Sequence, residues 1–358
     1  MKVLFLNQTF GYGGAAKMMA FVANALSKNN HEVTALLYKG SEIQQRLESN
    51  IKVINRNFES QGKLKHLKLI NRLKKVVKEE NPDVIVSFLT FPNFYATIIG
   101  HLLRIPVIIS ERGNPFLVKG VKDSMIYKCF NLANGAVFQT DGAKSYFGKG
   151  LQKRSCVIPN PVVRKNKNIR FDHSTDNHEI VFVARFENKQ KRQDLMLEAL
   201  EKVVSTYPDT ILRFYGTGDD MPMIEEMVRN KQLEKHVRFM GYTNTPEEVM
   251  IKSEVFVLTS DYEGIPNTLI EAMSIGMPVV STDCDPGGAR MLIEDGVNGL
   301  IVRKNNAQEI ADAIIRVFSD IDLRQKMSRE AYKITEKYTE KIIFSKWVKY
   351  ITHITNKK

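Results

Sequence analysis

The sequence predicts two doubly wound α/β domains in one chain, and three observations predict them. The chain has 358 residues, more than one hydrophobic core usually organises and about right for two. Short apolar runs recur along it, each followed by a stretch with helical spacing, which is the signature of βα units and parallel sheets. A break at Pro159-Asn160-Pro161 separates two such series, since proline fixes φ and removes a backbone donor.

In the first series the expected strands are 3–7, 32–38, 84–88, 107–110, 135–139 and 156–158. The opening apolar run is too short for a signal peptide and no cleavage site follows it, so it reads as a first strand. In the second series the expected strands are 179–183, 211–215, 237–240, 255–258, 279–281 and 299–302. The polar run 164–177 between the series is expected to be an exposed connector. The domains are accordingly placed at 1–165 and 166–338. Near the C-terminus Ile342, Ile343, Trp347, Val348 and Ile351 recur at helical spacing, and the segment 339–358 is expected to pack back on the first domain as an amphipathic helix.

Hydrophobic residues are 43% of the chain and charged residues 26%, which excludes disordered and fibrous classes. Cys129, Cys156 and Cys284 show no metal-ligand spacing and are too few for a disulfide framework, so a cytoplasmic setting is expected. No stretch approaches the roughly 20 apolar residues that cross a bilayer. The net charge of +12 is unevenly spread: residues 1–170 hold 27 Lys and Arg against 10 Asp and Glu, and the remainder hold 25 against 30. Such asymmetry points the first domain at something anionic, such as a membrane surface, a phosphorylated acceptor or nucleic acid, unless it serves solubility alone. Within that domain the stretch 63–78 mixes Leu64, Leu67, Ile70, Leu73 and Val77 with Lys65, Lys68, Arg72, Lys74 and Lys75. It can lie peripherally on anionic lipid, or pack on a sheet with a solvated basic face.

The residues with the most chemistry follow the expected strand 255–258, at Asp261-Tyr262-Glu263-Gly264-Ile265-Pro266-Asn267-Thr268-Leu269-Ile270-Glu271. Ligands in open α/β sheets bind beyond the carboxyl ends of strands. A helix is expected to begin near Pro266, with Asn267 as its cap. The amides of Asn267, Thr268 and Leu269 at that start can hold a diphosphate through the helix dipole. Glu263 and Glu271 flank the helix start and can read sugar or ribose hydroxyls, because a carboxylate on a buried helix must be bound to something.

This run, continued by Gly276-Met277-Pro278-Val279-Val280-Ser281-Thr282, resembles the glutamate, seven residues, glutamate motif of the retaining family four (group 1) glycosyltransferases. The resemblance extends over nearly the whole chain and implies the GT-B fold, two facing Rossmann-like domains with the active site between them. It also implies a nucleotide-diphosphate sugar donor, a UDP-sugar, held by the second domain, and a saccharide or lipid-linked saccharide acceptor held by the first. Glu263 would contact the donor sugar and Glu271 the ribose. Arg185 and Lys191, in Val183-Ala184-Arg185-Phe186-Glu187-Asn188-Lys189-Gln190-Lys191, would take the diphosphate, with Lys189 a competitor for Lys191. Gly13 and Gly14 after the first strand would approach the donor phosphates, although a plain tight turn explains them equally. Gly216 and Tyr242 would border the nucleotide.

Where many members carry a histidine, this chain has Glu111-Arg112-Gly113-Asn114. No histidine role carries over. Glu111, Arg112 and Asn114 are candidate acceptor contacts, and a purely structural loop is the competing reading. Asp283-Cys284-Asp285 has the look of a metal-binding pair, but cations already available for the diphosphate leave no demand for a metal, and no cofactor is expected. The other classes weighed are a sugar-nucleotide epimerase on the same architecture and a basic nucleic-acid-binding protein. The basic stretch lacks the interleaved aromatics that single-stranded nucleic acid requires, so no nucleic-acid partner is expected.

Overall fold

The computed structural model describes all residues except 12, 41–42, 59–60, 118–119, 165, 173 and 357–358. Tyr12 of the first glycine turn therefore lies outside the described residues. Two compact units result, Met1–Asn160 with Lys341–Lys358, and Pro161–Glu340.

The first unit contains β1 (Lys2–Asn7), β2 (Glu32–Leu37), β3 (Lys52–Asn55), β4 (Val84–Phe88), β5 (Val107–Ser110), β6 (Gly135–Phe138) and β7 (Ser155–Val157). Among the described residues they form one parallel sheet in the order β3-β2-β1-β4-β5-β6-β7. Side chains alternate between its faces, as the two-residue period of a strand requires. Leu4, Leu6, Ile85, Ile109 and Phe138 enter one core, while Val3, Phe5, Val86, Phe88 and Val137 are buried as well. Burial on both faces is what a parallel sheet sandwiched by helices demands. The edge strand β3 has no counterpart in the sequence pattern, because only Ile54 of its four residues is even half-buried.

The second unit contains β8 (Glu179–Val183), β9 (Ile211–Tyr215), β10 (Val237–Phe239), β11 (Val255–Leu258), β12 (Val279–Thr282) and β13 (Leu300–Val302). They pair in parallel in the order β10-β9-β8-β11-β12-β13. Ile180, Phe182, Phe214 and Val257 face one core, and Val181, Val183, Tyr215 and Phe256 face another. The described residues of the run 164–177 lie outside helices and strands and are mostly exposed, as expected of a connector, but two of them tie it to the second unit. Phe171 is buried in the second core, its amide donates to the Ile275 carbonyl at 2.8 Å, and the Arg164 guanidinium bonds the Tyr332 hydroxyl at 3.1 Å.

The last helix, Glu340–Thr355, buries Ile343, Trp347, Ile351 and Ile354. Trp347 is fully buried and stacks on Phe88 of β4 with ring centroids 5.7 Å apart. The Tyr350 hydroxyl accepts from the Ala136 amide of β6 at 2.9 Å. Gly135 leaves room for that approach, since a Cβ there would lie 2.5 Å from the same hydroxyl.

Candidate active site

Strand order fixes where a ligand can sit. In the second unit the chain runs outward from β8 to β9 and β10, then returns to place β11 on the other side of β8. Neighbouring loops after β8 and β11 thus diverge, opening a crevice at the carboxyl ends of the strands, the usual ligand position in such sheets. Along this one rim stand, in spatial order, the loops after β10 with Tyr242, after β9 with Gly216, after β8 with Arg185 and Lys191, and after β11 with Glu263.

At the divergence between β8 and β11, Lys191 ends the short helix Asn188–Lys191 and its Nζ pairs with Glu263 Oε1. Both side chains are nearly buried. Ser260 Oγ donates to the same carboxylate oxygen at 2.9 Å and Gln190 Nε2 approaches the other at 3.4 Å. The two loops are also laced through their backbones: Thr259 Oγ1 donates to the Lys191 carbonyl at 2.8 Å, and the Asp261 amide to the Gln190 carbonyl at 2.8 Å. A charge pair this far from water is kept only if further hydrogen bonds satisfy it, and here they do. Lys189, the competitor for Lys191, is exposed.

Arg185 stands apart from that pair. Its side chain is 74% exposed and meets Glu187 at 3.0 Å, while Gln193 Nε2 donates to its carbonyl at 2.8 Å and fixes the backbone beneath it. The fixed root and exposed head leave the guanidinium able to reach an anion on the rim. Gly216, at φ +141°, permits the close crossing of these loops, because a Cβ there would lie 1.9 Å from the Ala184 carbonyl oxygen. Tyr242 is exposed.

The helix after the Glu263 loop spans Asn267–Ser274. Asn267 is not its cap: Pro266 holds that position, and Asn267 is the first helical residue. Proline suits the boundary because its fixed φ feeds the helix without needing its missing N–H. Leu269, Ile270, Ala272, Met273 and Ser274 are buried, whereas Asn267, Thr268 and Glu271 are half-buried. Ser274 turns back to the Glu271 carbonyl at 2.8 Å. Beyond β12, Asp283 is engaged by Arg290 and Asp285 by Lys304. Among the described residues no group of three or more His, Cys, Asp and Glu is arranged to hold a metal.

In the first unit the equivalent divergence lies between β1 and β4. Gly13 stands there at φ +120° with open space where a Cβ would be, and Gly14 begins the helix Gly14–Lys28. One strand further, Glu111 and Arg112 leave β5 as buried residues. The Glu111 carboxylate accepts from the amides of Arg112 and Gly113, each at 3.1 Å, from Thr90 Oγ1 at 3.2 Å and from Asn93 Nδ2 at 3.4 Å. Burial raises its pKa, and those four donors oppose the rise. Arg112 donates to Ser110 Oγ at 2.9 Å and Asn160 Oδ1 at 3.0 Å, beneath the rings of Phe88 and Trp347. Burial pushes the guanidinium down to about 9. Both side chains thus support the loop from within. Asn114, whose Oδ1 accepts from the Phe116 amide at 3.0 Å, is the one of the three that remains half-exposed.

Comparison with known proteins gives the family. Residues 164–334 match the family described as Glycosyl transferases group 1, and residues 12–165 match Glycosyltransferase Family 4. The chain belongs to the group 1, family four glycosyltransferases. This glycosyltransferase is 26% identical over 363 residues to a Campylobacter jejuni protein, covering 99% of each chain. That relative is named as a GalNAc-alpha-(1->4)-GalNAc-alpha-(1->3)-diNAcBac-PP-undecaprenol alpha-1,4-N-acetyl-D-galactosaminyltransferase. It is 28% identical over 236 residues to the poly(glycerol-phosphate) alpha-glucosyltransferase of Bacillus subtilis, covering 65% of this chain but only 35% of that longer protein. Among solved structures, the Anabaena protein HepE in complex with UDP and glucose superposes with a TM-score of 0.79 at 19% identity, covering 98% of this chain and 99% of that one. The fold is therefore GT-B.

The geometry adds residues that the glycosyltransferase sequence did not single out. Ser260 and Gln190 complete the bonding of Glu263, and Thr90 and Asn93 that of Glu111. Ser260 could have been found, since it lies between a strand end and Glu263. Thr90 and Asn93 lie about twenty residues from Glu111, and nothing local in the sequence joins them.

Proposed function

We propose that this glycosyltransferase transfers a sugar with retention of anomeric configuration from a UDP-sugar to a saccharide or lipid-linked saccharide acceptor, in the assembly of a cell-surface polysaccharide. The observation that carries the reading is the Lys191–Glu263 pair at the divergence of β8 and β11, on the loop that leads into the helix Asn267–Ser274.

Cleaving the glycosidic bond leaves negative charge on the departing phosphate, and preorganised cations lower that barrier because they need no reorganisation as the charge develops. Lys191, held by Glu263, and Arg185, exposed on the same loop, fill that role. The amides of Asn267, Thr268 and Leu269 add the positive end of the helix dipole. Glu263 meets the donor sugar and Glu271 the ribose, with Tyr242, Gly216, Gly13 and Gly14 bordering the nucleotide. The acceptor hydroxyl attacks the face that the phosphate leaves, and the phosphate takes its proton, so the new bond keeps the old configuration. Neither a metal nor a cofactor is required by this scheme.

Both named relatives make alpha linkages. Sugars of the UDP-glucose kind are themselves alpha-linked, so an alpha product from such a donor means retention. The HepE complexes support UDP as the nucleotide. The undecaprenol-linked substrate of the Campylobacter relative supports a lipid-linked acceptor, and with it a cytoplasmic protein lying peripherally on a membrane. Among the described residues no helix is long and apolar enough to cross one.

The test is to incubate the protein with UDP-glucose, UDP-N-acetylglucosamine and their galacto epimers, with and without an acceptor. Proton NMR then reads the anomeric coupling of any product. An alpha product formed only when acceptor is present supports the reading; a beta product, or an altered sugar released without acceptor, overturns it.

A further inference from the structure

The residue after Lys191 holds a backbone conformation that its type avoids. Arg192 stands at φ 53° and ψ 50°, where it both ends the helix Asn188–Lys191 and begins the helix Gln193–Thr206. Glycine takes that left-handed conformation freely, whereas a Cβ crowds the neighbouring carbonyl oxygen. Strain of this kind persists only where the surroundings hold it. At Arg192 the side chain shows what holds it.

The guanidinium reaches three partners and is only 20% exposed. Nε and Nη2 donate to the Asp194 carboxylate at 3.0 and 3.2 Å, in the first turn of the helix that Arg192 begins. Nη1 donates to Asp261 Oδ1 at 3.2 Å, in the loop after β11, and to Asn305 Oδ1, in the loop after β13. Asn305 is itself left-handed, at φ 57°. One arginine thus joins the loops after β8, β11 and β13. Its neighbour in the third loop, Lys304, pairs with Asp285, whose carbonyl accepts from the Glu263 amide at 2.7 Å.

Arg192 follows Lys191, and Asp261 precedes Glu263 by two residues. The two loops are therefore tied twice in parallel, Lys191 to Glu263 and Arg192 to Asp261. The ties differ in what an arriving anion does to them. A lysine ammonium is a point charge, so a phosphate beside Lys191 competes with Glu263 for the same group. The first tie loosens just when the position of Lys191 matters. The planar fork of Arg192 is already spent on Asp194, Asp261 and Asn305, and it keeps its grip.

We propose that Arg192 is a positioning residue: through Asp261 and Asn305 it holds the Lys191 loop on the Glu263 loop, so that Lys191 keeps its place when a diphosphate competes with Glu263 for its ammonium. The catalytic consequence rests on the role proposed above for Lys191, but the tie between the loops does not.

The test uses Arg192→Gly in the full chain, because glycine suits the left-handed backbone and only the guanidinium is lost. The Asp261 amide, which donates to the Gln190 carbonyl across the two loops, reports the tie by hydrogen exchange with and without UDP. Exchange should be at least about tenfold faster in Arg192→Gly, the scale of losing hydrogen bonds to a charged group. Asp261→Asn, which keeps the shape of the partner and removes its charge, should speed it at least about threefold. Kinetics read the consequence as UDP released in the transfer reaction described above. In Arg192→Gly, kcat should fall at least about tenfold while KM for the UDP-sugar moves less than about threefold, because a misplaced cation is missed mainly in the transition state. In a Lys191→Ala background the same substitution should lower kcat less than about threefold, since no lysine is left to place. Unchanged exchange in both variants overturns the proposal whatever the kinetics do. An equal loss of kcat in both backgrounds also overturns it, since that is the mark of a merely structural residue. Faster exchange together with normal turnover by Lys191→Ala, or with no turnover of any UDP-sugar by the wild type, leaves the tie standing and removes only the role given to Lys191 above.

Discussion

Lys191 and Arg185 make separable predictions because their surroundings differ. Lys191 is nearly buried against Glu263, so Lys191→Ala should reduce turnover roughly a hundredfold to a thousandfold, the scale for removing one preorganised charge partner. It should also cost stability, on the order of 1–3 kcal/mol, by leaving a carboxylate without its cation. Arg185 is mostly exposed, and Arg185→Ala should slow transfer without shifting the melting temperature. Steady-state kinetics and thermal melts on the two single variants and the double variant check this. Near-normal transfer by the double variant would remove both residues from the reaction. Glu111 is the converse case, a carboxylate whose four donors all come from the protein. Glu111→Ala leaves those donors unpaired at a cost of about 1–3 kcal/mol, whereas Glu111→Gln keeps an acceptor oxygen and should cost less. Its pKa is raised in the fold, so the folded chain holds that proton more tightly than the unfolded one. This contribution is complete at acid pH and is lost as pH rises through the folded value. The melting temperature of the wild type relative to Glu111→Gln should therefore fall as pH rises above the ordinary carboxylate range, about 4. A difference that rises instead would mean the donors outweigh burial.

At the scale of elements, the loops that bring these residues together depend on close backbone crossings. A Cβ on Gly288 would lie 1.8 Å from the Gly264 carbonyl oxygen, beside Glu263. Gly288→Ala should shift that loop and cut transfer at least about tenfold while the circular dichroism spectrum stays native, because misplacing a reacting group by an ångström costs far more rate than stability. Unchanged kinetics would mean that Glu263 can move without consequence. The same elements show what the sequence made legible. The buried parallel strands announced themselves as apolar runs, and the site loops could be located because they follow those runs. The edge strand β3 escaped, since Lys52, Val53 and Asn55 are exposed and no burial pattern marks them. The helix Lys65–Glu80 buries Leu69, Leu73, Val76 and Val77 but leaves Leu67 exposed, and that division escaped for the opposite reason. Apolar spacing says which residues are apolar, but not which of them the sheet has room to cover. The burial of Glu111 and Arg112 depends on Thr90, Asn93, Asn160 and Trp347, which only the fold assembles.

At the scale of the molecule, the two units have separate cores. Trp347 returns from the end of the chain to finish the first, while the ring of Phe171 joins the second. Chains with two such cores commonly depart from all-or-none melting, and two calorimetric transitions are expected here. Trp347→Ala removes a fully buried ring and should lower one transition, by about 3–5 kcal/mol of that unit's stability. The residues proposed to grip the phosphates, Arg185, Lys191 and the helix start at Asn267, all belong to the second unit. UDP should therefore raise the other transition, by about 2.7 kcal/mol at a hundred times its dissociation constant. The pairing of perturbation with transition is what carries the information. Should UDP raise the transition that Trp347→Ala lowers, the nucleotide is held by the first unit, and the assignment of Lys191 and Glu263 to the donor fails.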